Sequence, residues 1–230
     1  MKLLAIDTST DACSVALLAG NDTLFDHRVQ KQKHGELLLP MVDALMAQAG
    51  LSAQSLDGLV YGCGPGSFTG VRIGVACAQG IALGADIGVV GISTLRCIAQ
   101  GCHREFADGE VAVSVDARMG EVYFCSFRID DAQCMQAIGD EQLLNPASLP
   151  HTAITSWAGS GAERYNDEVA AQAVAQEIVL REDRLPQALD HLTLGEASVR
   201  LKQLLPAEMA RPVYLRNKVA LTSAEREASS

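Results

Sequence analysis

The stretch AIDTST at residues 5–10 closes an apolar run on an aspartate, Asp7, and then turns on small hydroxyl residues. The same design returns as SVDARMG at 114–120, around Asp116. The two aspartates stand 109 positions apart, about half of the 230-residue chain. The elements around them repeat as well. Leu3–Ile6, Cys13–Leu18 and Thr23–Gln30 read as a three-stranded meander, with Gly20-Asn21-Asp22 as a hairpin signal. A helix over about 35–49, a strand Leu59–Gly62 and a helix over about 68–84 follow. Then come a strand Val89–Ile92 and a helix over about 94–106 that Ser93 can cap. In the second half, 111–116, 121–129 and 133–138 again read as three strands. A weak, proline-bearing stretch at 140–150 stands where the first helix would be. A strand at 152–157, a helix at about 162–175, a strand at 178–180 and a helix at about 194–205 that stops at Pro206 complete the half. The order βββαβαβα, given twice, predicts an α/β protein of two ribonuclease-H-like lobes, 1–107 and 108–216, with a cleft between them. Residues 217–230 are expected to be a mobile tail. A single Rossmann-type sheet fares worse, because the opening meander is antiparallel and GCGPGS at 62–67 lacks the third glycine of that fingerprint.

Composition narrows the function classes. Lys and Arg number 18 against 28 Asp and Glu, a formal net charge of −10. Phosphate contacts need clustered cations, so strong direct binding of nucleic acid or of an anionic membrane is not expected. The hydrophobic share of 48% is too high for a disordered chain. Asp7 and Asp11 interrupt any signal-peptide core, and the charge-free runs Gly58–Val71 and Ile73–Ala85 fall short of the ~20 residues of a spanning helix. The seven cysteines, at 13, 63, 77, 97, 102, 125 and 134, are odd in number and form no C-x-x-C pair. They read as reduced core thiols of a cytoplasmic protein.

Several motifs carry chemistry or packing. In a phosphotransferase of this architecture, aspartates such as Asp7 and Asp116 hold Mg²⁺-phosphate; the simpler role for each is to cap its own turn. Gly64, Gly66 and Ser67 precede a helix and could cradle an anion at its N-terminus, but the Walker lysine is missing, and a tight strand-to-helix turn is the stronger reading. The helix at 68–84 holds Gly70, Gly74, Gly80 and Gly84. Each interior glycine costs ~1 kcal/mol of helix propensity, so such a helix must be held by burial. On the helix at 35–49, Leu37, Leu38, Leu39, Met41, Val42, Leu45 and Met46 fan over about 200° at 100° per residue. One core needs little more than ~100°, so a second buried face, a protein interface, is expected there. The five histidines form no H-x-x-x-H or H-E-x-x-H pair, and no G-x-S-x-G elbow is present.

Together, IDTST at 6–10, HGELLLP at 34–40, YGCGPGSFTGVRIG at 61–74, GISTL at 91–95, DARMGEVY at 116–123 and PVYLR at 212–216 resemble the bacterial TsaB (YeaZ) family. The resemblance implies the actin/hexokinase/Hsp70-like (ASKHA) fold and a part in making threonylcarbamoyladenosine (t6A) on tRNA. It implies a non-catalytic scaffold that pairs with its paralogue TsaD, activates it and helps recruit the ATPase TsaE. The metal-binding histidine pair of TsaD has no counterpart in Val90-Gly91-Ile92-Ser93-Thr94-Leu95. The resemblance places the TsaD contact on the first two helices, and with it a homodimer when no partner is present. Carried onto this chain, the interface residues are Leu38, Met41, Val42, Leu45, Arg72, Ile73, Val75, Ala76 and Cys77. A vestigial nucleotide or anion site falls on Asp7, Gly64, Gly66, Ser67 and Asp116. The chain itself then requires no cofactor or metal, and ATP or ADP belongs at the interface of the complex. Two rivals remain: a stand-alone nucleotide-dependent phosphotransferase using Asp7, the 64–67 loop and Asp116, and a peptidase acting on TsaD.

Overall fold

The structure is a computed structural model that describes residues 1–150, 154–165, 167 and 177–216. The first sheet is built from β1 (Lys2–Asp7), β2 (Ala12–Ala19), β3 (Asp22–Val29), β4 (Gly58–Gly64) and β5 (Val89–Ser93), in the order β3-β2-β1-β4-β5. The meander is antiparallel, with Lys2 opposite Ala19 and Asp7 opposite Ser14. β4 and β5 join in parallel. The second sheet uses β6 (Glu110–Arg118), β7 (Glu121–Ile129), β8 (Met135–Leu144), β9 (Ser156–Ala158) and β10 (Val179–Arg181), in the order β10-β9-β6-β7-β8. Numbered from its own first strand, that is the same topology. The molecule is therefore two ribonuclease-H-like lobes of the ASKHA type.

Both faces of β1 are buried, which is why it reads as an unbroken apolar run rather than an alternation. Leu4 and Ile6 look toward α1 (His34–Ala49) and α2 (Phe68–Ala85), where Leu38, Met41, Val42, Leu45, Val71, Val75 and Ala78 pack. Leu3 and Ala5 look the other way, onto Leu192, Leu194 and Val199 of α5 (Ala188–Arg200). So a helix from the second half of the chain covers the first sheet. The exchange is mutual: Leu95, Ile98, Ala99 and Cys102 of α3 (Thr94–Phe106) pack on Val111, Val113, Cys125 and Phe127 of the second sheet. α3 and α5 also touch each other, so the two lobes are interlocked near the chain midpoint.

Three expected elements differ. β8 runs to Leu144, because Val122–Phe124 of β7 continue to pair with Gln142–Leu144 beyond an irregularity in the register; a turn at Pro146–Ser148 follows in place of a helix. α5 starts at Ala188 and ends at Arg200, six residues before the proline expected to stop it, where Lys202 takes a positive φ of 55°. The expected strand at 152–157 is β9, and the helix at 162–175 is described only as the short α4 (Ser160–Arg164). The rest of that helix and the tail 217–230 lie outside the described residues.

Candidate functional site

A cleft of about 790 Å³ opens between the lobes. Ser9, Gly66, Ser67 and Phe68 line one wall; Asp116, Arg118, Met119, Ser160 and Arg164 line the other. Of the expected anion-site residues, Gly66, Ser67 and Asp116 face this space, whereas Asp7 and Gly64 do not. The glycine loop works as a tight junction. Ser67 caps α2, its Oγ accepting from Gly70 N at 3.3 Å, and Ser67 N donates to Ser9 O at 2.7 Å. A Cβ on Gly66 would lie 2.2 Å from Ser9 O, and one on Gly70 2.1 Å from Thr8 O. These glycines let α2 lie directly on the turn that follows β1.

The two aspartates have opposite surroundings. Asp7 is sealed: Oδ1 accepts from Ser9 N and Ser9 Oγ, each at 2.8 Å, and Oδ2 accepts from His191 Nε2 at 2.7 Å. Both side chains of that last pair are wholly buried. Asp116 lies at the cleft floor with Arg118 at 3.1 Å and Arg164 at 3.4 Å, and both arginines are mostly exposed. The C-terminal segment straps the cleft mouth. Val213 N donates to Cys63 O at 2.8 Å, and Arg216 reaches Ala117 O at 3.0 Å and Glu121 at 2.8 Å. Arg72 lies 3.7 Å over the Phe68 ring and donates to Tyr214 Oη at 2.7 Å. The PVYLR motif at 212–216 thus has a structural role that its sequence did not disclose.

The α1–α2 face divides the expected interface residues into a buried and an outward group. Leu38, Met41, Val42, Leu45 and Val75 belong to the core of the first lobe. They hold the helices on the sheet and are buried in the chain by itself. The wide apolar arc of α1 is mostly consumed by this one core, which leaves Leu39 45% exposed. Arg72 and Ala76 point outward, with Ile73 and Cys77 half-buried beside them. The outer stripe of α2 continues through Gly80, Leu83 and Gly84. Nothing lies within 4 Å of a Cβ built on Gly80 or Gly84. By length and composition α2 could cross a membrane, but Val71, Val75, Ala78 and Ala82 are spent on the core.

Among the described residues, no group of three or more His, Cys, Asp and Glu could hold a metal ion. All seven cysteines are free, and burial pushes every thiol up, to about 12 for Cys13, Cys63, Cys102 and Cys125. A nucleophilic cysteine needs the opposite shift.

Comparison with known proteins agrees with this geometry. The family model for TsaD, tRNA N6-adenosine threonylcarbamoyltransferase, matches residues 28–224. The tRNA threonylcarbamoyladenosine biosynthesis protein TsaB of Escherichia coli K12 is 38% identical over 96% of each chain. Its namesake in Haemophilus influenzae Rd is 37% identical over 95% of each. Two solved Pseudomonas aeruginosa structures superpose closely: a protein described as similar to peptidase YeaZ and YeaZ itself, with TM-scores of 0.84 and 0.82, each 36% identical. They cover 94% and 93% of this chain and 99% of their own. The chain therefore belongs to the TsaB (YeaZ) family of tRNA threonylcarbamoyladenosine biosynthesis proteins, non-catalytic paralogues of TsaD.

Proposed function

We propose that this chain is the scaffold subunit of the t6A complex: it pairs with TsaD through the outer stripe of α2, activates it, and helps build the docking site for the ATPase TsaE. The observation that carries this reading is the pair of open glycines. Gly80 and Gly84 sit one helical turn apart on the outer face, in line with Ala76. In the free chain they cost ~1 kcal/mol each of helix stability and touch nothing that would require them. A partner helix that must approach closely supplies the missing reason. Leu39, Ile73 and Leu83 give the stripe an apolar rim, and Arg72 gives it a cation.

The same stripe would mediate a homodimer when TsaD is absent. The chain would work in the cytoplasm, where its seven thiols stay reduced. At a net charge of −10 it would leave the main tRNA contacts to its partner, and any ATP or ADP would belong to the assembled complex. The test is co-purification with TsaD. Gly80→Leu and Gly84→Leu should leave the free chain at least as stable, since leucine is the better helix former and has room there. They should weaken TsaD retention by about tenfold or more, as overpacking does at a close helix contact. Unchanged retention would remove α2 from the interface, and reconstituted tRNA modification that proceeds fully without this chain would remove the scaffold role.

A further inference from the structure

The fold class implies a metal-bound phosphate at the aspartate ending the first strand, and the residues around Asp7 do not fit it. The side chain is wholly buried, and Asp7 is absent from the cleft lining. Its two oxygens already accept from Ser9 N, Ser9 Oγ and His191 Nε2. The geometry points to a different role. Asp7 is a buried latch that fastens α5 to β1 through His191, and this latch, not a nucleotide, fixes the lobes against each other.

Three independent features of the surroundings support it. First, the pair joins residues 184 positions apart, one from each half of the chain. Second, the backbone is cut away to house it. A Cβ on Gly62 would sit 1.9 Å from Asp7 Oδ2 and 3.3 Å from His191 Nε2. Third, the first turn of α5, which carries His191, is tied down at two further points. Ala188 N donates to Ser14 Oγ of β2 at 2.9 Å, and Asp190 accepts from Arg104 Nε of α3 at 2.8 Å. The helix thus meets the first sheet through Ser14 and Asp7 and meets α3 through Asp190. His191 Nδ1 is buried without a hydrogen-bond partner, so the ring makes its one polar contact with Asp7. Removing one partner of a buried hydrogen-bonded pair strands the other.

The test is a double-mutant cycle on the full chain with Asp7→Asn and His191→Gln, read by urea unfolding with and without Mg²⁺-ADP. The latch predicts that each single change lowers the midpoint and that the double change costs little more than either. It predicts that α5 amides exchange with deuterium about tenfold faster in His191→Gln. It also predicts that Mg²⁺-ADP leaves the wild-type midpoint unmoved. Additive losses would overturn it, as would a Mg²⁺-ADP stabilisation that Asp7→Asn abolishes. Should either variant fail to fold, the wild-type His191 ring ¹⁵N signals decide. They should stay fixed through a Mg²⁺-ADP titration; movement of the Nε2 signal would make Asp7 a metal-phosphate residue after all.

Discussion

Asp7 closes β1 and Asp116 lies near the end of the equivalent β6, yet one is sealed in the interior and the other lines the cleft. The difference lies in what the neighbouring strand and helix leave open. Beside Asp7, Gly62 provides a hollow, and α5 fills it with an imidazole. Beside Asp116, the short α4 brings Arg164, and the β6–β7 turn brings Arg118. That turn places Arg118, Met119 and Gly120 at φ of 64°, 57° and 75°, a strained run for two residues with side chains. Asp116 Oδ1 accepting from Arg118 N at 2.9 Å and Arg216 bonded to two turn carbonyls help hold it. One repeat has therefore turned its strand-end carboxylate into a structural bond, while the other keeps its carboxylate at the cleft.

The largest way to break this contrast is Gly62→Ala. The new methyl must displace Asp7 or the strand, with no flexible surface group to absorb it. A loss of about 3 kcal/mol is expected in urea unfolding, in the range of overpacked cores. A loss below ~1 kcal/mol would mean that the hollow is not the seat of the pair. Gly80→Ala, on an open helix face, should move the other way by a few tenths of a kcal/mol or more.

Most element positions were legible because they rest on local signals. The Ser93 cap was a sound guide, its hydroxyl accepting from the Arg96 amide; Ser67 caps α2 in the same way, a role the sequence reading did not assign it. Facing was much less legible. The arc on α1 suggested two buried faces, but one broad contact with the sheet and α2 takes Leu38, Met41, Val42, Leu45 and Met46 together. Counting apolar residues cannot separate a wide core contact from an interface. Nor does counting glycines separate their roles: structure shows that Gly66, Gly70 and Gly74 press on the β1–β2 turn while Gly80 and Gly84 press on nothing. His191 carried no usable signal, since its partner lies 184 residues away and it belongs to no motif. Pro206 was a misleading stop, because the chain leaves α5 earlier to bridge Leu205 to Val89.

A smaller effect separates a carboxylate sealed with an imidazole from one sealed with a hydroxyl. Glu141 of β8 is half-buried at the seam, where Ser93 Oγ donates to Oε1, and loss of solvent around it pushes its carboxyl above the ordinary glutamate value. The folded state then holds this proton to higher pH than the unfolded state, so its contribution to stability falls as pH rises through the folded value. Glu141→Gln carries no such proton. Relative to wild type, it should gain stability as pH rises from the unfolded glutamate value of ~4.3, and show no gain below it. Urea midpoints across pH 3–8 measure the difference; parallel curves would remove Glu141 from the seam.

The smallest effect is expected at Asp116 itself. Its arginine partners are mostly exposed, so the ion pairs are screened and contribute little. What Asp116→Ala removes is mainly the bond to Arg118 N, which helps hold the left-handed turn. A loss of about 1 kcal/mol or less follows, with faster deuterium exchange confined to 116–121 and none in α5. The contrast with Asp7 would collapse if this substitution cost as much as Gly62→Ala or loosened α5. Asp116 would then be a second latch between the lobes, and the cleft floor would belong to the frame of the molecule.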